Sequence, residues 1–240
     1  MTVILGIDLE TTSLDTETTD ILEVGMIMYH VERRSMVAVN DFIIKPKDFS
    51  EEKAWESYEI TGIHPELIDT FGISIVSAMG LVIDWIDRSD FILGHNIIRF
   101  DRPILERFVK IDIPTIDTMV HIRYPSKIKA RNLIGLAAEH GFLNMYPHRA
   151  VFDVASTIRL LENYSIEVII EAALSRMFWC RAMVSFENKD KAKAQKYMWD
   201  ATNKFWVKQV PELYLADEAN VSDFKITILE SNYEFDKKYQ

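Results

Sequence analysis

Apolar residues follow two different periods along this chain, and the change between them indicates how it is organised. Three β-rich runs joined by short polar segments come first: 3–9, 22–31 and 36–44. This pattern predicts a three-stranded antiparallel meander. Helical spacing then appears over residues 73–86, and a short apolar run at 91–93, closed by Gly94, predicts a fourth strand. Strands combined with helices in this way indicate a layered α/β domain.

Helical spacing continues beyond the fourth predicted strand and then pauses. Three segments show it: 103–109, 132–140 and 149–161. Around residue 164 the pattern stops, and Ser165 is a suitable N-cap for a new helix. We therefore predict a main domain over residues 1–164 and a small α+β C-terminal extension over residues 165–240.

The composition predicts a soluble globular protein. Of the 240 residues, 48% are hydrophobic, which is far from the composition of disordered chains. No uncharged apolar run approaches the roughly 18 residues of a membrane span, and the N-terminus lacks the basic region of a signal peptide. We expect a cytoplasmic protein with no membrane partner. Cys180 is the single cysteine, which excludes an intramolecular disulfide and favours a packed thiol.

Charge is distributed unevenly. The formal net charge is −10, yet residues 176–208 hold eight Lys and Arg against three Asp and Glu, a local excess of +5. An acidic body with a local basic segment suits a protein that concentrates cations in one cleft and binds a polyanion beside it.

Two carboxylates stand at the end of the first predicted strand. Side chains at i and i+2 of a strand share a face, so Asp8 and Glu10 are expected to lie about 6 to 7 Å apart. Like charges held this close to an apolar core repel one another and lose hydration unless a cation compensates them. A divalent metal explains the pair economically, although an isolated pair of this kind is more often a solvated strand end.

Further acids and one histidine occupy comparable positions. Asp101 follows the fourth predicted strand and opens a helix, where an acid also suits the helix dipole. Asp153 lies on an otherwise apolar helical stripe, five residues after His148. Each residue alone has an ordinary structural explanation. Together, four acids and a histidine at the ends of elements predict a two-metal site with its own base.

These segments resemble the motifs of DnaQ-like 3′-to-5′ exonucleases of the DEDDh type, which have a ribonuclease H-like fold. The motif D-x-E-T-T matches Asp8 to Thr12, and H-x-x-x-x-D matches His148 and Asp153. The motif H-N-x-x-F-D matches His95, Asn96, Phe100 and Asp101, with one extra residue before Phe100. The resemblance covers about 165 of 240 residues, and the joint pattern is far more specific than any one motif.

The resemblance implies a mixed sheet flanked by helices and a metal-dependent phosphodiester hydrolase. It implies that Asp8 bridges two ions, that Glu10 and Asp153 complete the site of the ion carrying the water, and that Asp101 serves the other ion. His148 would take the proton from that water, since imidazole titrates near neutral pH. Oxygen ligands suit Mg²⁺ or Mn²⁺ as the two divalent cations.

Candidate substrate contacts fall into three groups. Beside the first two motifs they are Thr11, Thr12, Leu14 and Asn96; in a basic segment they are Arg123, Lys127, Lys129 and Arg131; in the C-terminal extension they are Trp199 and Trp206. Cations suit backbone phosphates and aromatic rings suit stacking on bases. A solvated basic loop and a C-terminal aromatic core are the alternative explanations.

The leading functional hypothesis is a 3′-to-5′ exonuclease that releases nucleoside 5′-monophosphates from single-stranded or frayed DNA. Under it, residues 1–164 are the exonuclease domain and residues 165–240 an accessory domain that is a candidate for nucleic-acid binding. One alternative is a 3′-to-5′ exoribonuclease. Another is a proofreading subunit that binds a DNA polymerase, or another replication or repair protein, in trans. The complete set of acids and the histidine argues against a purely binding role.

Overall fold

A five-stranded mixed sheet organises the N-terminal unit, Met1–Ile169, of this computed structural model, which describes residues 1–47, 49–230, 233 and 235. Its strands are β1 (Val3–Thr11), β2 (Ile21–His30), β3 (Ser35–Ile43), β4 (Phe91–Gly94) and β5 (Thr115–Asp117). The spatial order is β3-β2-β1-β4-β5. Strands β1, β2 and β3 pair antiparallel, whereas β4 joins β1 and β5 joins β4 in parallel. The predicted meander and fourth strand are confirmed.

Helices surround this sheet. They are α1 (Glu51–Thr61), α2 (Pro65–Phe71), α3 (Ile75–Ile86), α4 (Asp101–Leu105), α5 (Thr118–His121), α6 (Leu133–Glu139) and α7 (Ala150–Leu161). The next helix, α8 (Ile166–Leu174), begins in the N-terminal unit and ends in the C-terminal unit. The predicted helices are present, although α4 begins earlier and ends earlier than its pattern suggested. Periodicity missed α1 and the short helices α2 and α5. Helix α1 is polar and depends on its caps. Its cap Ser50 accepts from the backbone nitrogen of Lys53, and it ends at Gly62, whose φ is +68°.

The two faces of β1 have different neighbours. Leu5, Ile7 and Leu9 belong to the main core, together with residues of α3 and α4. The other face, which carries Gly6, lies under α7: a Cβ atom at Gly6 would be 2.6 Å from Cγ1 of Val154. Because side chains alternate along a strand, Asp8 and Glu10 lie on this same α7 face.

Helix α7 lies very close to the sheet at Gly25 of β2, which is the register partner of Asp8. A Cβ atom there would overlap the backbone of Ala150 and Val151 at the start of α7. A glycine is therefore required for the first turn of α7 to lie directly on the sheet.

The C-terminal unit, Ile170–Gln240, contains a second sheet, which has four antiparallel strands among its described residues. The strands are β6 (Met177–Met183), β7 (Met198–Asp200), β8 (Phe205–Pro211) and β9 (Lys225–Ile228), accompanied by α9 (Lys189–Ala194) and α10 (Leu215–Val221). Their order is β7-β8-β6-β9. The predicted α+β extension is thus confirmed as a fold, while its accessory function stays a prediction.

The structure bears on the expectations about the single cysteine and about membrane-spanning segments. Cys180 is fully buried in the C-terminal core, and burial raises its pKa to about 11, as expected for a packed thiol. Across the described ranges, no helix combines the length and the apolar character needed to span a membrane. A cytoplasmic location stays a prediction.

We predict that Gly25→Ala destabilises the protein by about 1 to 3 kcal/mol or more, because the new methyl group must displace the backbone of α7. Gly80→Ala is the matched control. Gly80 is exposed within α3 and a Cβ atom there meets nothing within 4 Å, so alanine should stabilise by about 0.5 to 1 kcal/mol. Urea denaturation measures both changes. Equal stability of the two variants would contradict the account of α7 docking.

Candidate active site

The end of β1 brings three of the predicted ligands together. Glu10 is 8% exposed and Asp101 only 2% exposed. The backbone nitrogen of Leu9, between the two acids of β1, donates to Oδ1 of Asp101 at 3.1 Å. Asp101 begins α4, so this bond fixes the start of that helix against β1. Asp8, Glu10 and Asp101 therefore share one end of the sheet.

A buried acid at the end of β5, the strand beside β4, holds the loop that leads from β4 to Asp101. Asp117, at the end of β5, accepts from the backbone nitrogens of Asn96 at 3.0 Å and Ile98 at 3.1 Å. Asn96 has a φ of +64°, a left-handed conformation that asparagine tolerates better than most residues. The side chain of His95 is engaged in the structure, with Nδ1 2.8 Å from Oγ1 of Thr118. Asp117 thus has a structural role in positioning Asp101.

The start of α7 supplies the remaining two predicted residues. Asp153 accepts from the side-chain amide of Asn144 and, at 3.2 Å, from the backbone nitrogen of His148. His148 is exposed and has a φ of +63°. Ligand atoms of Glu10, His148 and Asp153 all lie within 4.8 Å of one another. Residues more than 130 positions apart in sequence are thereby brought to one cluster.

A fifth acid, which the sequence analysis missed, lies behind this cluster. Glu23 is completely buried and is the register partner of Glu10 across β1 and β2. Its Oε1 accepts from Nε and Nη2 of Arg149 at 2.8 and 2.6 Å, and its Oε2 accepts from the backbone nitrogen of Ala150 at 2.9 Å. Glu23 therefore binds both the side chain and the backbone at the start of α7. An isolated acid within an apolar strand was the available signal.

Burial and then mutual repulsion raise the pKa values of the carboxylates in the cluster. Burial, followed by repulsion from Asp153 and Glu23, raises the pKa of Glu10 from 4.5 to about 8. Burial also raises the pKa of Asp101 to about 7, and the pKa of Asp153 is raised by the same cause. For Asp8, burial and then repulsion from Asp101 and Asp153 raise the pKa well above its ordinary value. Such a set favours either protons or a cation.

The residues fit divalent metal ions by their chemistry. Carboxylate oxygens from β1, α4 and α7 converge, and their mutual repulsion is what a bound cation offsets. Hard divalent ions such as Mg²⁺ and Mn²⁺ prefer oxygen ligands of this kind. Asp8, Glu10, Asp101 and Asp153 are the residues that would hold them.

The candidate substrate residues beside β1 are mostly engaged in shaping a loop. Oγ1 of Thr11 donates to the carbonyl of Ser13 at 2.8 Å, and Oγ1 of Thr12 accepts from the backbone nitrogen of Asp20 at 3.0 Å. Leu14, at the tip of this loop, is 85% exposed. The loop therefore presents an apolar side chain at its surface. The substrate-binding roles of Thr11, Thr12, Leu14 and Asn96 stay predictions.

The other candidate contacts are further along the chain. Lys127 and Lys129 are exposed between α5 and α6, where Arg131 is also exposed and Arg123 is partly buried. The carbonyl oxygen of Arg131 lies 2.9 Å from Nε2 of His95, so this segment meets the loop of the second motif. Trp199 and Trp206 lie in the C-terminal unit. Contacts of all six residues with a substrate stay predictions.

Comparison with known proteins identifies the family. The model of the RNase_T exonuclease family matches residues 5–161. The chain belongs to this exonuclease family. Its enzyme class, a metal-dependent exonuclease, and the predicted DnaQ-like affiliation are thereby confirmed.

Relatives of the exonuclease domain are found among polymerases and nucleases. The chain is 26% identical over 177 residues to the PolC-type DNA polymerase III of Thermotoga petrophila and of Thermotoga maritima, covering 71% of this chain and 12% of each polymerase. Escherichia coli exonuclease I, solved with a dT13 oligonucleotide, matches with a TM-score of 0.61 and 17% identity, over 77% of this chain and 49% of that one.

A second structure of Escherichia coli exonuclease I, solved with a dA16 oligonucleotide, matches with a TM-score of 0.61 and 16% identity, over 89% of this chain and 52% of that one. The chain thus spans about half the length of these nuclease structures and a much smaller part of the polymerases. These likenesses confirm the ribonuclease H-like fold class.

The first prediction for the exonuclease domain concerns Glu23. Glu23→Gln leaves the donors of Arg149 and Ala150 without their charged acceptor, so we expect a loss of about 1 to 3 kcal/mol of stability in Mg²⁺. The expected loss of stability is smaller than for a fully buried ion pair, because Arg149 is 38% exposed. The control is Glu212→Gln, which breaks an exposed pair with Arg176 and should change stability little. Urea denaturation measures the loss of stability in both variants. Equal losses would refute the positioning role of Glu23.

The second prediction concerns pH. Because the pKa of Glu10 is about 8 in the folded protein against an ordinary 4.5, the folded state holds a proton in this range that the unfolded state has lost. Stability without metal should therefore fall as the pH rises from 4.5 to 8. Mg²⁺ competes with that proton, so it should raise the melting temperature more at pH 8 than at pH 6. Glu10→Gln should weaken this pH dependence. A Mg²⁺ effect that does not change with pH would contradict the assignment.

Proposed function

We propose that the exonuclease domain removes nucleotides from the 3′ ends of single-stranded or frayed DNA, using two divalent cations, Mg²⁺ or Mn²⁺. The observation that carries this proposal is the convergence of Asp8, Glu10, Asp101 and Asp153 from β1, α4 and α7 at one end of the sheet. Carboxylates with raised pKa values gathered beside an exposed histidine form a suitable set for hydrolysis assisted by metal ions.

The residues divide the work of hydrolysis between them. When bound, the two cations supply an activated water and offset the charge on the attacking and leaving oxygens. His148, exposed at the edge of the cluster, takes a proton from the attacking water at a ring nitrogen. Asn144 and the backbone nitrogen of His148 hold the carboxylate of Asp153 in one orientation. The products are a nucleoside 5′-monophosphate and a strand shortened by one nucleotide.

Single-stranded DNA is the substrate best supported by the comparisons. The exonuclease I structures that share this fold were solved with dT13 and dA16 oligonucleotides. The exposed Leu14 supplies an apolar surface for a terminal base, and the exposed Lys127 and Lys129 supply positive charge for backbone phosphates. The motifs themselves do not distinguish DNA from RNA, so a 3′-to-5′ exoribonuclease is the alternative within the same chemistry.

A proofreading role with a polymerase is the second candidate, and the similarity to PolC-type DNA polymerase III favours it. The alignment covers 12% of that polymerase. In this role the exonuclease domain would act in trans on a 3′ end presented by a polymerase or by another replication or repair protein. Such a partner would be expected to stimulate hydrolysis at a mismatched end.

The test is digestion of DNA and RNA oligonucleotides of identical sequence, each labelled at one end. A 3′ label should be released as a mononucleotide and a 5′ label should yield a descending ladder, with DNA degraded faster than RNA. His148→Ala should slow turnover by about 10² to 10⁴. Asp8→Ala should abolish hydrolysis, because a ligand is lost.

Asp84→Ala is the control, since it removes an exposed acid of α3 that pairs with Arg88. It should leave the rate unchanged. Activity of Asp8→Ala within tenfold of the unaltered chain, or full activity in EDTA, would refute the metal-dependent mechanism. Faster degradation of RNA would favour the exoribonuclease alternative.

A further inference from the structure

The C-terminal unit contains a cavity of about 420 Å³. This volume is within the range of small-molecule sites, roughly 300 to 1,000 Å³. Its aromatic and cationic lining residues are Arg181, Phe186, Trp199, Lys204, Phe205 and Trp206. They come from β6, β7 and β8 and from the segments that follow β6 and precede β8. The cavity lies outside the set of residues proposed for hydrolysis.

Aromatic side chains of this cavity are accessible. Phe186 is 75% exposed and Trp199 is 42% exposed, whereas Tyr197, which belongs to the core of the unit, is 2% exposed. Trp199 and Trp206 are register partners on β7 and β8, with ring centroids 5.5 Å apart. The sequence left open whether the C-terminal aromatics form a core or stack on a ligand. For Phe186 and Trp199, exposure favours a ligand.

The charge of the cavity is positive. Arg181 and Lys204 are its two cations, and none of the described residues that line it is acidic. The guanidinium of Arg181 lies 4.4 Å from the centroid of the Phe205 ring, and its Nε is buried without a hydrogen-bond acceptor among the described residues. Lys204 is exposed and has a φ of +57°. Both cations line the cavity, so an anionic group bound there would be attracted by two positive charges.

We propose that this cavity binds one nucleotide of a single-stranded nucleic acid, with the base against Trp199 and Phe186 and the phosphate at Arg181 and Lys204. Aromatic faces interleaved with cations are the combination that binds single strands with little sequence preference. An acidic peptide would satisfy the cations but would leave the flat ring surfaces without a matching partner. The site would hold the strand independently of cleavage.

The proposal predicts specific losses of affinity. Binding of the full chain to a fluorescent dT15 oligonucleotide is measured by anisotropy in EDTA, where no strand is cleaved. Phe186→Ala and Trp199→Ala should each weaken binding about 5- to 150-fold, the range for loss of one stacked base. Phe186 is so exposed that its replacement should leave the fold intact. Phe178→Ala, on β6 with Arg181 but outside the cavity, is the control and should bind normally.

The salt dependence distinguishes phosphate contacts from stacking. Lys204→Ala should make the plot of log affinity against log salt concentration shallower by about 0.7, the value for one phosphate contact on a single strand. Lys191→Ala removes an exposed lysine outside the cavity and should leave the slope unchanged. Trp199→Phe should retain most of the affinity, since it keeps an aromatic face.

Competition experiments separate the other ligand classes. Unchanged affinity for dT15 in Phe186→Ala, Trp199→Ala and Lys204→Ala, with normal thermal melting, would overturn the proposal. If dTMP then bound to the unaltered chain but not to these variants, the cavity would be a mononucleotide site. If an acidic peptide containing phenylalanine instead bound to the unaltered chain but not to these variants, the cavity would be a protein-binding site. Because EDTA prevents hydrolysis, this test can fail while the proposed nuclease activity holds, and the reverse is equally true.

Discussion

The first turn of α7 must lie directly on β2, and the candidate active site depends on that contact. Gly25 provides the space, since any side chain there would overlap the backbone of Ala150 and Val151. Glu23 provides the attraction by accepting from Arg149 and from the backbone nitrogen of Ala150. With the helix held in this position, the residues at its start face the acids of β1. A hydrogen-bonded ion pair and a glycine thus set the geometry of the proposed chemistry.

This geometry carries an electrostatic cost, because several carboxylates converge where water is partly excluded. The raised pKa values of Asp8, Glu10, Asp101 and Asp153 express that cost. Glu23 is paired with Arg149, whose guanidinium balances its charge. We infer that this pairing keeps Glu23 out of the metal-binding set although it faces Glu10 in register. The four remaining carboxylates retain the unbalanced charge that divalent cations would offset.

The sequence was sufficient for β1 to β4, for α3, α4, α6, α7 and the start of α8, and for the convergence of the acids, because long apolar runs and residues at element ends are local signals. It did not predict the three-residue strand β5 or the individual strands of the C-terminal unit. It was insufficient for α1, whose polar sequence depends on its caps. It also missed Glu23 and Arg149, which are 126 positions apart and meet only through the strand register and the docking of α7. Similarly, the exposure that separates Trp199 from Tyr197 in the C-terminal unit follows from tertiary packing.

Anomalous diffraction from crystals of the full chain grown with Mn²⁺ tests the central claim most directly. We predict manganese peaks bound by the carboxylates of Asp8, Glu10, Asp101 and Asp153, while Glu23 remains paired with Arg149. Manganese coordinated by Glu23, with Arg149 displaced, would contradict the separation of roles between these acids. A crystal that contains Mn²⁺ elsewhere but none at the four carboxylates would contradict the proposed metal site itself.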